Sequence, residues 1–195
     1  IEVKKYETTF ANEIIEQFML TANETVAEKF YWLEAPFIYR VHEEPEYDKI
    51  QETNKFLFNI GYRIKASKEN IKPKAFSDVL EKIKGTEYEK VISTLILRTL
   101  KVARYESQNN GHFGIASKYY CHFTSPIRRY PDTTVHRLLR TYLFNNMMDS
   151  ETIKYWDNKL VFLTEHTSER ERDSIECERE VDDMKMAEYM MDHIG

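Results

Sequence analysis

Glycine and proline are scarce in this chain, with five of each among 195 residues. That excludes an architecture built on frequent tight turns and favours long helices. Cysteine is nearly absent. Cys121 and Cys177 lie far apart, which leaves neither a disulfide framework nor a cysteine-spaced metal site. Long apolar runs are missing as well. The densest cluster, Val91-Ile92 with Leu95-Ile96-Leu97, is interrupted by polar residues, so no membrane span is expected. No secretory leader is visible, and the chain opens on Ile1 in a charged stretch, as a piece cut from a longer polypeptide would. A reducing, cytoplasmic setting is the expectation. Positive charge is not in excess either: the net charge is −5, which taken alone speaks against a nucleic-acid partner.

Apolar side chains make up 42% of the residues, enough for one sizeable core, and nothing in the composition suggests disorder. The charge is unevenly placed. Between Lys118 and Tyr142 stand Arg128, Arg129, Arg137 and Arg140 with His122 and His136, against Asp132 alone, while the acidic residues gather from Glu165 to Asp192. A mildly acidic chain can therefore still present a local anion site.

Hydrophobic periodicity sets out the elements. Ile14, Phe18, Ala22, Val26 and Phe30 recur every four residues and predict an amphipathic helix over about 12–32 with a buried stripe. An aromatic, β-branched run at 35–41 reads as a short strand. Helices follow over about 47–59, then from Pro73 to Lys84 with Gly85 as C-cap, then over about 86–104. Residues 111–116 and 119–123 are candidate strands. The remainder reads as helix, over about 131–144, 150–166 and 168–194. The fold class expected is mainly α with a few short β-strands, in one domain over 1–195 with no internal boundary.

The densest chemistry lies in Thr124-Ser125-Pro126-Ile127-Arg128-Arg129-Tyr130-Pro131-Asp132. Thr124 and Ser125 are N-cap types, and Pro126 suits a first helical position. Pro131 lacks an N–H and keeps Tyr130 out of the helical region, so a short turn over 127–130 should precede a helix starting at Pro131. Asp132 then falls in the first turn, where negative charge is favoured. Two guanidinium groups on a rigid turn beside a helix N-terminus suit a phosphate. Adjacent arginines point different ways, so one can bind ligand while the other pairs within the protein. The plain alternative is a pair of ordinary ion pairs. For Arg137 and Arg140, which share a helix face, that alternative is a solvated face, and for His136 it is a structural hydrogen bond.

The run from His122 to Asp132 resembles the signature of the ribonuclease II/ribonuclease R catalytic domain. Ile15-Glu16-Gln17-Phe18-Met19-Leu20-Thr21-Ala22-Asn23 is similar to the family's helix bearing a glutamate and an asparagine. Gly111-His112-Phe113-Gly114 is similar to the stretch leading into the arginine turn. Arg-Arg-Tyr-Pro-Asp is closer to the bacterial ribonuclease R pattern than to the Arg-Lys-Tyr-Gly-Asp of ribonuclease II. The resemblance implies the C-terminal portion of a catalytic domain that degrades single-stranded RNA processively from its 3′ end to nucleoside 5′-monophosphates. It implies Arg128 as the catalytic arginine at the scissile phosphate, with Arg129 as runner-up, and Glu16, Asn23, His122, Tyr130 and Arg129 as substrate-binding residues. Neither DNA nor a membrane is an expected partner. Magnesium, held by an Asp-x-Asp-Asp cluster, is the implied cofactor. This chain has no such cluster, since Asp182-Asp183 is its only adjacent aspartate pair and sits among charges at helical spacing. The metal ligands and the flanking OB-fold modules are therefore expected outside Ile1–Gly195. Two other classes stand beside this reading: a non-catalytic helical module binding RNA or protein, and a metal enzyme with scattered ligands at Glu16, His112 and His122.

Overall fold

A computed structural model describes residues 8–191 and 193. In chain order the elements are α1 (Phe10–Leu33), β1 (Tyr39–Val41), α2 (Tyr47–Asn59), α3 (Pro73–Ile83), α4 (Glu89–Thr99), β2 (Arg104–Glu106), a 3-10 turn (Phe113–Ile115), α5 (Tyr130–Leu139), a π-helical turn (Arg140–Phe144) and α6 (Ser150–Met191). β1 and β2 form a two-stranded sheet. The architecture is mainly helical with few strands, the class expected from the sequence. By their contacts the residues fall into two compact units, one of 1–39, 105–108 and 121–195, the other of 40–104 and 109–120. No linker marks this division in the sequence, because the chain passes between the units at four places rather than once.

In the first unit, a Thr9–Asn12 capping box starts α1: the Asn12 N–H donates to the Thr9 hydroxyl and the Thr9 N–H to the Asn12 side-chain oxygen. Only the C-terminal half of the expected stripe is buried, with Ala27 and Phe30 inside and Ile14, Ile15, Phe18 and Met19 exposed. Periodicity identifies which face of a helix is apolar, but not whether anything lies against it. Phe30 stacks on Phe37 at 4.3 Å and meets Tyr142 edge-on at 6.1 Å, an aromatic core that also holds Leu138, Val135 and Leu160 buried. Burial pushes the Tyr142 hydroxyl up to about 12. α6 begins at Asp149, whose carboxylate accepts the N–H groups of Glu151 and Thr152. It continues unbroken through Thr167, where two helices are expected. The Thr167 and Ser168 hydroxyls donate back to the carbonyls of Leu163 and Thr164, so residues that look like a cap serve the helix they sit in. The expected end near Ile194 falls outside the described residues.

In the second unit, Ile50, Leu57, Ile64, Phe76, Val79, Ile83, Ile92 and Ile96 form the core of three helices. Asn54 ties α2 to the following loop, donating to the Ile64 carbonyl and accepting its N–H. Gly85 has φ +78°, the left-handed conformation that ends α3. α4 stops at Thr99, five residues short of expectation. The Glu43 carboxylate takes Lys101 at 2.9 Å and Arg104 at 2.6 Å, and these two bonds, Lys101 first, hold its carboxyl down to about 2. A tertiary ion pair thus draws 101–104 out of the helix that its own sequence favours.

The candidate strand at 111–116 is instead a 3-10 turn wrapped on histidines. His42 Nε2 donates to the Lys101 carbonyl at 2.7 Å, while its Nδ1 accepts the Gly114 N–H at 2.8 Å. Both bonds require a neutral ring. A Cβ on Gly114 would lie 2.7 Å from that Nδ1, so the position excludes any other residue unless the turn moves. The His112 ring sits 5.2 Å from the His42 ring, and its Nδ1 is buried with no hydrogen-bond partner. Burial above all, then the neighbouring His42, lowers its pKa to about 4, and burial lowers that of His42. A histidine bound less readily by protons in the folded chain than in the unfolded one contributes stability in full above about pH 6.5, and loses it as pH falls toward 4. The urea midpoint of unfolding is expected to fall across that window, and His112→Phe to flatten the fall. A slope unchanged in the variant would show that this ring carries none of the dependence.

Candidate nucleic-acid interface

The arginine turn belongs to the first unit. The N–H groups of Arg128 and Arg129 both donate to the Ser125 carbonyl, closing the turn predicted around Pro126. α5 starts at Tyr130, one residue before expectation, with Pro131 in its first turn. Asp132 is completely buried. Its Oδ1 accepts the Ser125 N–H at 2.7 Å and the Arg129 guanidinium at 2.8 Å. Thr133 adds a bond from its hydroxyl to the Pro126 carbonyl. The two arginines therefore divide: Arg129 is committed inward to Asp132, while Arg128 is exposed and makes none of the ion pairs found among the described residues.

Three further contacts support the turn from behind. Asn23, buried on α1, accepts the Phe123 N–H with its side-chain oxygen at 3.0 Å, and its carbonyl accepts the Cys121 thiol. His136 bonds the Phe123 carbonyl through Nε2 at 3.0 Å and stacks on the Phe123 ring at 4.4 Å. This is the structural histidine expected from the sequence. Tyr105 of β2 bonds His122 Nδ1 through its hydroxyl at 2.8 Å, and its N–H donates to the Ser168 hydroxyl on α6 at 2.9 Å. Burial drives the Cys121 thiol far above its ordinary pKa, so it has no nucleophilic character.

In front of the turn lies a cleft of about 310 Å³, whose walls include Tyr105, Arg128, Arg129, Tyr130, Arg170 and Glu171. Tyr130 is half exposed, accepts a hydrogen bond from Arg137 at 3.1 Å and lies under that guanidinium, 5.6 Å from the ring centre. Of the substrate-binding candidates, Arg129 and Tyr130 line the cleft. His122 stands behind it, bonded to the lining Tyr105. Asn23 is spent on the backbone of 121–123, and Glu16 is exposed on α1 and does not line the cleft. Sequence reasoning missed Arg170 and Glu171. Both sit in a dense run of charges with nothing to mark them, and only the straight course of α6 carries them there.

Among the described residues no three His, Cys, Asp or Glu side chains gather as they would to hold a metal. The magnesium implied by the resemblance thus does not fit these residues, and neither does the scattered set of Glu16, His112 and His122. The cleft can bind and orient a phosphate, and its tyrosines can meet a flat ring.

A helical scaffold presenting a guanidinium beside aromatic rings is chemically suited to phosphate-bearing chains, and comparison with known proteins gives the family. The family model described as the RNB domain matches residues 1–145. The chain is 44% identical over its whole length to ribonuclease R 1 of Lactococcus lactis, of which it covers 24%, and 45% identical over 95% of its length to ribonuclease R of Thermotoga maritima, of which it covers 26%. It superposes along its full length on 31% of the Mycoplasma genitalium RNase R chain solved with ribose-methylated single-stranded RNA, with a TM-score of 0.93 and 29% identity. This chain belongs to the RNB-domain family of ribonucleases II and R. It spans about a quarter of the length of the curated relatives it matches. Residues 146–195, nearly all of them in α6, lie beyond the matched RNB span.

Removing the buried acceptor tests the turn. Asp132→Ala leaves Arg129 and the Ser125 N–H without their partner. It is expected to destabilise the chain by about 3 kcal/mol, the lower end for a broken buried pair because Arg129 is 23% exposed. Urea unfolding measures this, and a loss below about 1 kcal/mol would show that the pair does not hold the turn.

Proposed function

We propose that this chain is part of a 3′→5′ exoribonuclease, the C-terminal portion of its catalytic domain, which hydrolyses single-stranded RNA to nucleoside 5′-monophosphates. The observation that carries this reading is the division of the arginine pair. Arg129 is neutralised by a buried carboxylate and fixes the turn, while Arg128 is left free at the edge of a cleft with aromatic walls. Family membership and the RNA bound to the M. genitalium neighbour support RNA as the ligand.

On this reading Arg128 grips the scissile phosphate and offsets charge that grows on its oxygens as the bond to water forms. Tyr130 and Tyr105 offer ring faces or edges to bases or riboses. Asn23 and His136 hold the backbone at Phe123, just before the turn, and His122 bonds the cleft-lining Tyr105, so on this reading the three act by positioning. Glu16, exposed on α1 and outside the cleft, is assigned on this reading to the terminal nucleotides of the RNA. On the same reading magnesium is bound by residues other than these, and the cytoplasm is the proposed location.

In the full-length protein, Arg128→Ala should lower the cleavage rate by about two to three orders of magnitude, the cost of removing one preorganised charge-stabilising donor. RNA binding should weaken only a few-fold. Loss of both in equal measure would assign Arg128 to holding RNA instead. The 195-residue chain alone is expected to leave a labelled oligoadenylate intact with magnesium present. Robust degradation by the purified chain would mean that it contains a complete active site. Inactivity of the full-length protein, with RNA still bound, would favour a binding module without chemistry.

A further inference from the structure

The cleft holds a third arginine, on a different element from the other two and unmarked by the sequence signature. Arg170 lies on α6 two residues, about half a turn, beyond Ser168, whose hydroxyl accepts the N–H of the cleft-lining Tyr105, so the helix is tied to the cleft close to Arg170. Its side chain is 64% exposed and donates to Asp173 Oδ2 at 2.8 Å, an i,i+3 pair whose carboxylate is itself 54% exposed. Water competes strongly for such a pair, and its net worth is small. The contrast with Arg129 is one of environment: both make a 2.8 Å bond to an aspartate, but Asp132 is sealed from water and Asp173 is not.

We infer that Arg170 is a second phosphate-gripping residue of this cleft, which exchanges the Asp173 carboxylate for an RNA phosphate when substrate enters. A phosphate offers the guanidinium fork two oxygens, as the carboxylate does, and carries its charge into a cleft already lined by Arg128. Arg128 and Arg170 stand on separate elements, so they grip different points of the backbone. One phosphate sits at the arginine turn and another lies along α6. Asp173 then acts as a competitor that holds Arg170 extended until RNA displaces it.

This inference rests on the RNA reading of the cleft, and the test separates the two. Binding of a fluorescein-labelled single-stranded oligoadenylate to the full-length protein is followed by anisotropy in EDTA, across a series of salt concentrations. Arg170→Gln should raise Kd by about threefold to tenfold and reduce the slope of log affinity against log salt by about 0.7, the loss of one single-strand phosphate contact. Arg170→Lys should keep the slope and recover part of the affinity. Asp173→Asn should move the other way and tighten binding, because it frees the guanidinium. A purely structural Arg170–Asp173 pair predicts the same direction of change for both partners, so weaker binding in Asp173→Asn overturns the exchange. An Arg170→Gln protein with unchanged Kd and slope overturns the contact. If Arg128→Ala impairs RNA cleavage while Arg170→Gln binds normally, only the inference about Arg170 fails. If neither variant alters any dealing with RNA, the RNA reading of the cleft fails with it.

Discussion

The buried carboxylate of Asp132 is the constraint on which the site depends. A charge with no exposure to water is costly unless its partners are fixed, and both partners of its Oδ1 lie within seven residues, on the turn it stabilises. The bond to the Ser125 N–H closes a loop of chain from 125 to 132, and the bond to Arg129 neutralises the charge. Pro126 and Pro131 restrict the backbone inside that loop. Arg128 lies between fixed points on both sides: its backbone has little freedom, and its guanidinium carries no internal obligation. The positive end of α5 adds to the field at the same spot.

Preorganisation of this kind needs support from elements distant in sequence. The run at 119–123, expected as a strand, is not one: its Phe123 backbone is bonded by side chains instead, by Asn23 from α1 and by His136 from α5. Neither residue needs to touch a ligand for its loss to be felt, because a small displacement of 121–124 is passed directly to Ser125 and so to the carboxylate. Tyr105 links the same region to α6 through Ser168. Among the described residues, Arg128 thus makes none of the ion pairs found, whereas Arg129, Asn23 and His136 bond within the protein.

Much of this was legible in the sequence, for identifiable reasons. The turn and the helix after it follow from proline stereochemistry and N-terminal charge preference, which act within a few residues; that adjacent arginines point different ways was also legible, but which one pairs inward was not. Helices α2 and α3 declared themselves by period and cap. The unbroken α6 is a local failure, since the Thr167 and Ser168 hydroxyls bond back within their own helix, but the others are long-range. α4 ends early because Glu43 captures Lys101 and Arg104 from some 60 positions away. The run at 111–116 becomes a turn because His42 accepts the Gly114 N–H, and a strand-like pattern cannot reveal that partner. The exposed half of the α1 stripe shows the same limit in reverse. Arg170 and Glu171 were hidden by company: in a run of alternating charges, only the place where a helix passes the site distinguishes one cation from another.

The cleft's cations also differ in how strongly the protein already holds them, and that difference orders what a ligand can do. Arg129 faces a carboxylate with no access to water, so an incoming phosphate would have to strand a buried charge to win it. Arg170 faces a solvated carboxylate and can change partner at little cost. Arg128 has no partner to give up. On the proposed reading a polyanion entering this cleft gains most at Arg128, less at Arg170 and least at Arg129, although all three line the same space. Counting basic residues would assign them equal weight. The burial of the opposing carboxylate is what distinguishes Arg129 from Arg170, and it shows how a chain with net charge −5 can still present guanidinium groups to a ligand at one place.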